Sequence, residues 1–316
     1  MRDTDYAYCV ARVRAAESKM LTKEDVQRLE NFSSLDDAMK FLKEKSFASS
    51  ECVSVSDVSA FQKENLWTLL SESVPDKKEL DVLCILNDYF NIKAAVKCLL
   101  SGVSPEKFIL KPTTVNVESL RENLLKRDFY ASFREKGELA RMAYDSAVKT
   151  ESGQRAEIII DRAAIDAMAE FSRNSNDKVT SSICAFLSDT SNIRIAYRCI
   201  FTDKDESFIS EAVGECRKFS REKLISASLN GVQSLDAFLE TTVYAECVKA
   251  IKDGFSSFEK WCDEKLVEIA SKSIYTSFSF APVCSYYYKK LTEIKRVNVI
   301  LSGISVRDES VGDADV

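Results

Sequence analysis

The chain has 316 residues, no histidine, and only 8 glycines and 4 prolines. Because tight turns usually need glycine or proline, this shortage argues against sandwiches, barrels and propellers and favours long helices. The lack of histidine excludes imidazole general bases, Ser-His-Asp and Cys-His sites and histidine zinc ligands. The net charge of −6 does not suit a general nucleic-acid binder, so we expect no nucleic-acid partner.

The chain begins with a pattern that predicts a helix rather than a targeting segment. The opening letters MRDTD place acids where the apolar part of a signal peptide would begin. Tyr6, Val10 and Val13 then recur at helical spacing. Thr22 with Asp25 three residues later predicts the N-cap of a second helix. The longest uncharged run, 273–288, is too short and polar for a membrane span of about 20 apolar residues, so we expect a soluble chain.

Three later segments repeat at a constant interval. Residues 88–99 read DYFNIKAAVKCL, residues 189–200 read DTSNIRIAYRCI, and residues 290–301 read KLTEIKRVNVIL. Ile92, Ile193 and Ile294 are each 101 residues apart. Two further apolar segments precede each of these basic helices in the same order. A period of this length predicts repeated domains, because solenoid repeats are about 20–50 residues long.

The repeat predicts an all-α chain of three similar helical domains. We place them at 1–104, 105–205 and 206–304, with joints at a Gly- and Pro-containing stretch, 102–105, and at a polar stretch, 202–207. Residues 305–316 are acidic and poor in large apolar side chains, so we expect a disordered acidic tail.

Cations at fixed positions of the basic helices form a candidate interface. Lys93 and Lys97, and likewise Arg194 and Arg198, share one helix face at i, i+4. One interpretation is a repeated contact surface for an acidic partner or for lipid headgroups. The alternative is a solvated face, or cations neutralised by the chain's own acids. The candidate set is Lys93, Lys97, Arg194, Arg198, Lys295, Arg296, Arg12 and Arg14.

No residue pattern predicts catalysis, a metal or a cofactor. The eight glycines are scattered and form no phosphate-binding loop. Asp36 and Asp37 resemble part of a magnesium-binding prenyl-diphosphate motif, but position 40 is Lys40. The ten cysteines contain no CxxC and are expected to be reduced core thiols. The 286–288 tyrosine run is expected to pack in the core rather than form a binding patch.

Three segments together resemble one protein family. Residues 6–21, YAYCVARVRAAESKML, are similar to the opening helix of the C-type subunits of V-type and A-type rotary ATPases, a family whose eukaryotic relative is the d-type subunit. Residues 157–165, EIIIDRAAI, and residues 287–303, YYKKLTEIKRVNVILSG, resemble its central and closing segments. Two departures concern the closing segment: Val299 stands where the first two basic helices have a second cation, and an acidic tail follows soon after Gly303.

The resemblance implies a non-catalytic rotor component without cofactor or metal. Members of this family form a funnel of three helical domains with pseudo-threefold symmetry, lying as a peripheral socket on the cytoplasmic face of the membrane. Their partners are the proteolipid ring and the D and F subunits of the central shaft. The component transmits torque and so couples ATP hydrolysis or synthesis to H⁺ or Na⁺ transport.

Two other functions remain open at this point. A generic α-helical scaffold would bind another protein, although its repeats would ordinarily be shorter than 101 residues. An all-α enzyme would need convergent carboxylates or lysines with shifted pKa values. Co-purification with ATPase subunits would separate the rotor component from the scaffold.

Overall fold

The computed structural model describes residues 3–276 and 278–312, and every regular element in these ranges is helical, which confirms the all-α prediction. Five short 3-10 turns accompany the α-helices. The α-helices in chain order are α1 (Ala7–Glu17), α2 (Lys23–Glu30), α3 (Leu35–Glu44), α4 (Val55–Ser73), α5 (Asp81–Ser101), α6 (Leu120–Leu125), α7 (Phe129–Phe133), α8 (Gly137–Thr150), α9 (Gly153–Asn174), α10 (Lys178–Phe201), α11 (Glu206–Ala212), α12 (Arg221–Leu229), α13 (Val232–Glu240), α14 (Ala245–Lys252), α15 (Phe255–Ser271) and α16 (Ala281–Gly312).

Local signals in the sequence explain several helix ends. The Thr22 side chain accepts a hydrogen bond from the Asp25 backbone N–H, and the Asp25 carboxylate accepts one from the Thr22 N–H, so the predicted capping box is confirmed. At the predicted first joint, α5 ends at Ser101, and Gly102 follows with a φ of +70°. Glycine adopts this left-handed conformation without a steric penalty, so the helix stops there.

The chain divides into two compact units. The first consists of Met1–Lys77 and Leu266–Val316, and the second of Lys78–Lys265. The first unit therefore contains α1–α4 and α16, the second contains α5–α14, and the boundary falls within α15. The division into domains 1–104, 105–205 and 206–304, with pseudo-threefold symmetry, stays a prediction.

The core of the first unit combines the beginning of the chain with its last helix. Helices α2, α3 and α4 and the loop before α4 contribute Leu29, Phe41, Phe47 and other buried side chains. Helix α16 adds four apolar residues from successive turns of one face, and these are Ile294, Val297, Leu301 and Ile304. Because they recur at three- and four-residue spacing, α16 turns one continuous apolar stripe towards this core.

Two clusters in the second unit show the same kind of packing. In one, Ile92, Ala95 and Val96 of α5 pack with buried residues of α6–α9. In the other, Phe186 of α10 lies 5.9 Å from Trp261 of α15, ring centroid to ring centroid. Helix α5 thus packs against helices that follow it in the chain, α10 contacts both the preceding α9 and the following α15, and α16 packs against α2–α4.

The last helix is longer than the sequence predicted. A disordered tail was expected from residue 305, but α16 continues to Gly312, and residues 313–316 lie outside the described residues. The Asp308 carboxylate accepts a hydrogen bond of 3.1 Å from the backbone N–H of Leu35, the first residue of α3. Because the first N–H groups of a helix have no partner within the helix, an acid from the tail stabilises this end of α3.

Candidate functional site

The candidate cations of α5 are ion-paired with α9. The Lys93 Nζ lies 2.6 Å from Asp161 Oδ1, and the Lys97 Nζ lies 2.5 Å from Glu157 Oε1. Both acids belong to the segment 157–165 that carries part of the family resemblance. Lys93 is more shielded from solvent than Lys97, whose side chain is about half exposed. The i, i+4 spacing on both helices therefore produces two parallel ion pairs across one helix contact.

The equivalent pair on α10 divides into one bound and one exposed cation. The Arg194 Nε donates to Glu259 Oε1 over 2.6 Å, and its guanidinium lies 5.6 Å from the centre of the Phe258 ring. Arg198, one turn later, is exposed and has no ion pair within the described part of the chain. Arg194 is thus held inside the second unit, while Arg198 is oriented to meet solvent or a partner.

The remaining candidates lie in the first unit. Arg296 pairs with Glu30 at 3.1 Å, and Lys295 is exposed. Arg12 pairs with Glu72 at 3.3 Å. Arg14 pairs with Glu17 at 2.6 Å.

Glu17 is the centre of a small charge cluster. Lys289 lies 2.6 Å from its Oε1, and Arg14 lies 2.6 Å from its Oε2. Burial disfavours the ionised form of Glu17, but the hydrogen bonds from Lys289 and Arg14 outweigh it, so the pKa of Glu17 lies below its ordinary value. The guanidinium of Arg14 also donates to the carbonyl of Ser273 over 2.7 Å. Arg14 therefore fixes the turn before α16 as well as the cluster.

Most of the candidate set is engaged within the chain. The ion-paired members are Lys93, Lys97, Arg194, Arg296, Arg12 and Arg14. These contacts match the alternative in which the chain's own acids neutralise the cations. The structure gives each of the six an intramolecular role, and their role as an interface stays a prediction.

Two polar side chains of the first basic helix form an anchor that the sequence analysis did not assign. Asp88 is buried and accepts hydrogen bonds from the Thr114 N–H over 2.8 Å and the Lys136 ammonium over 2.8 Å. Asn91 accepts the N–H of Leu110 over 2.7 Å and donates to the carbonyl of the same residue over 2.9 Å. The pair therefore fixes the loop that follows α5.

The second basic helix repeats this anchor 101 residues later. Asn192 accepts the N–H of Gly214 over 2.8 Å and donates to its carbonyl over 3.3 Å. Asp189 accepts the backbone N–H groups of Arg217 and Lys218 over 2.6 and 3.1 Å. The signal was present in the sequence, since Asp88 and Asp189, and Asn91 and Asn192, occupy equal positions of the repeat.

The third basic helix performs the same task with a different pair. Glu293 stands at the asparagine position and accepts the N–H of Leu21 over 2.6 Å. Lys290 stands at the aspartate position and lies 2.6 Å from Glu293 Oε2. The Lys290 ammonium also lies 4.5 Å from the centre of the Phe47 ring. The Lys290–Glu293 ion pair of α16 thus stands where the first two basic helices have a neutral asparagine amide, and Glu293 holds the loop after α1.

A cavity of about 820 Å³ lies in the first unit, between α1, α4 and α16. Its lining includes Leu66, Leu69 and Phe47. Three cations on its wall already have partners, namely Arg12 with Glu72, Lys45 with Asp25, and Lys290 with Glu293. Acids of the same unit therefore neutralise these three cations.

The thiols and the tyrosine run lie where the sequence predicted. All ten cysteines are free, and nine are buried. Burial raises the pKa of the Cys184 thiol to about 12, so at neutral pH it carries no nucleophilic thiolate. Tyr286, Tyr287 and Tyr288 are each buried, which confirms the expected packing.

Comparison with known protein families gives a match that spans both units. Residues 9–311 match the model of the family described as ATP synthase (C/AC39) subunit. A search of curated protein sequences finds no match. No helix within the described ranges has the length and apolar character needed to span a membrane.

Proposed function

We propose that this chain, which belongs to the ATP synthase (C/AC39) subunit family, is a non-catalytic rotor component of a V/A-type rotary ATPase. In this role it links the central shaft to the membrane proteolipid ring and transmits torque between them. The observation that carries the proposal is the extent of the match, which runs from residue 9 to residue 311 and so includes both compact units.

The packing of the chain supports a mechanical role. Moving one elementary charge through 100 mV supplies about 2.3 kcal/mol, and several such steps must be combined for each ATP. A part that transmits this load must deform little, and close-packed protein interiors have low compressibility. In this chain the loops after α1, α5 and α11 are each fixed by buried side chains of a long helix, as in the Glu293, Asn91 and Asn192 contacts.

The proposed partners follow from the family. They are the proteolipid ring and the D and F subunits of the shaft, and the chain would lie on the cytoplasmic face as a peripheral component. The complex would couple ATP hydrolysis or synthesis to H⁺ or Na⁺ transport.

We further propose that the exposed members of the candidate cation set contact an acidic surface of one of these partners. Arg198 is exposed, and the Lys97 and Arg296 side chains are 54% and 56% exposed despite their ion pairs. Their charges are suited to steering and register more than to affinity.

The rotor function is tested on ATPase complexes from native membranes. We expect the affinity-tagged chain to co-purify in mild detergent with the proteolipid ring and with the D and F subunits. Membranes from which the chain is deleted should retain ATP hydrolysis by the detached catalytic head and lose ATP-driven ion uptake. An intact, ion-pumping complex that lacks the chain would falsify the proposal.

The interface is tested by cysteine crosslinking in the assembled complex. Single cysteines at positions 93, 194, 198 and 295, in a background without the native thiols, should crosslink to the ring or shaft if the basic helices face a partner. An exposed lysine of another helix, Lys223, gives the matched control position. Crosslinks from none of the four positions would contradict the proposed interface.

A further inference from the structure

The turn between α15 and α16 exposes three large apolar side chains. Ile274 is 67% exposed, Tyr275 is 91% exposed, and Phe278 is 52% exposed. We call these three residues the apolar tip. Exposing three such side chains within five residues costs hydrophobic free energy, so a contact that covers them is favourable.

The base of this turn is fixed while its apolar tip is exposed. Ser273 is buried, and its carbonyl accepts hydrogen bonds from the Arg14 guanidinium over 2.7 Å and from the Thr276 N–H over 2.9 Å. On the other side Phe280 is buried, and its carbonyl accepts the N–H of Cys284 over 3.0 Å. Hydrogen bonds therefore fix the loop on both sides of the apolar tip. Because the loop is already ordered, a contact at the tip costs less conformational entropy than a contact by a flexible loop.

The two other turns between consecutive long helices provide internal comparisons. Residues 74–80 join α4 to α5 and read VPDKKEL, and residues 175–177 join α9 to α10 and read SND. Within these two described turns no large apolar side chain is exposed, since Val74 and Leu80 are buried. The exposed tip is thus specific to the third helix pair and is not a requirement of the helical turn itself.

The charge around the tip favours a lipid surface. Although the whole chain has a net charge of −6, the sequence from Ile269 to Thr292 contains no acid, and Lys272 beside the tip is exposed. Aromatic side chains concentrate at the bilayer interface, and a nearby lysine is attracted to anionic headgroups. Three side chains form too small a patch for a stable protein interface of about 800 Å² per partner.

We propose that the apolar tip inserts into the interfacial layer of a lipid bilayer, with Lys272 at the headgroups. This contact goes beyond the rotor function proposed above, because it gives the chain a direct attachment to lipid in addition to its attachment through partner proteins. The insertion is shallow, since the fixed base of the turn allows only the tip to leave the aqueous phase.

The test is flotation of the full purified chain with vesicles of phosphatidylcholine and phosphatidylglycerol in a 4:1 ratio. We expect the wild-type chain to float with the vesicles, and the variant Ile274→Ser, Tyr275→Ser, Phe278→Ser to show an at least fivefold lower bound fraction. The matched control replaces three comparably exposed residues elsewhere, Val53→Ser, Leu125→Ser and Val243→Ser, and should bind like wild type. Circular dichroism checks that both variants are folded.

A second readout locates the tip. A Tyr275→Trp variant should show fluorescence quenched by lipids brominated near the headgroup end of the acyl chain, beyond the quenching seen in the wild-type chain. Absence of flotation, or equal flotation of wild type and the tip variant, overturns the proposal. A tip variant that binds vesicles normally yet no longer co-purifies with the proteolipid ring would assign the tip to a protein contact and would also overturn it. The rotor function is judged separately, by co-purification of the wild-type chain.

Discussion

At the scale of single residues, Asp189 is a carboxyl group whose pKa is raised by burial. Its carboxylate is buried in the second unit, where it accepts two backbone N–H groups and the hydroxyl of Tyr244. Burial raises the pKa of Asp189 to about 6, because these hydrogen bonds only partly offset the loss of hydration. In the unfolded chain an aspartate has a pKa of about 3.9. The folded state therefore binds the proton more tightly between these two values.

Asp189 thus makes stability fall as pH rises. Its contribution to the free energy of unfolding is fully present below pH 4 and is lost as the pH rises through 6, a change of about 2–3 kcal/mol for a shift of this size. Urea unfolding of wild type and Asp189→Asn should be measured at pH 4, 5, 6 and 7. As the pH rises over this range, the free energy of unfolding of the wild type should fall relative to that of the variant. Asp36→Asn controls for the loss of one negative charge. A difference that does not change with pH would contradict the assignment.

At the scale of elements, the repeated asparagine determines how a long helix holds the following loop. Removing the Asn192 side chain leaves the buried N–H of Gly214 without its partner and removes the amide donor of the Gly214 and Glu215 carbonyls. We expect Asn192→Ala to lower the free energy of unfolding by about 2–3 kcal/mol, since each unsatisfied buried group costs about 1–3 kcal/mol. Asn116→Ala is the control, because Asn116 is exposed and its side chain makes a long hydrogen bond of 3.4 Å to Ser119. Chemical denaturation measures the free energy of unfolding of both variants. Similar losses in the two variants would show that the Asn192 hydrogen bonds do not stabilise the fold more than an exposed asparagine does.

The helices were predictable from the sequence, but their packing partners were not. Spacing of apolar residues and the Thr22 cap predicted α1 and α2. The 101-residue repeat placed Ile92, Ile193 and Ile294 at equal positions, and the structure shows that each is buried. The repeat also contained Asp88 and Asn91. Their role as an anchor could not be predicted, because it depends on hydrogen bonds to a loop that lies about 20 residues later in the chain. The sequence did not predict the helical end of α16, because its contact partner is distant in the chain: Asp308 accepts a hydrogen bond from Leu35 of α3, 273 residues earlier.

The candidate site shows the same limit. Sequence spacing correctly placed the cations on shared helix faces, but it could not reveal which acids lie opposite. Asp161 and Glu157 meet Lys93 and Lys97 only because α5 packs against α9. Spacing alone therefore could not decide between a contact surface and cations neutralised by the chain's own acids.

At the scale of the whole molecule, the last helix completes the unit that begins the chain. Leu301 of α16 is fully buried among residues of α2–α4. Truncating a buried leucine to alanine typically costs about 3 kcal/mol through lost burial and the cavity left behind. The two tryptophans allow this loss to be located, because Trp67 lies in the first unit and Trp261 in the second.

Single-tryptophan versions of the chain, made with Trp261→Phe or Trp67→Phe, would then report on each unit during urea unfolding. We expect Leu301→Ala to move the Trp67 transition to lower urea and the Trp261 transition by less, because Leu301 contributes to the first core only. Val299→Ala, on the exposed face of the same helix, should move neither by more than about 0.5 kcal/mol. A Trp67 transition unchanged by Leu301→Ala would mean that the closing helix does not support the opening core. The proposed rotor function would need that support, since a unit built from two distant segments of the chain resists torque only while the segments stay packed.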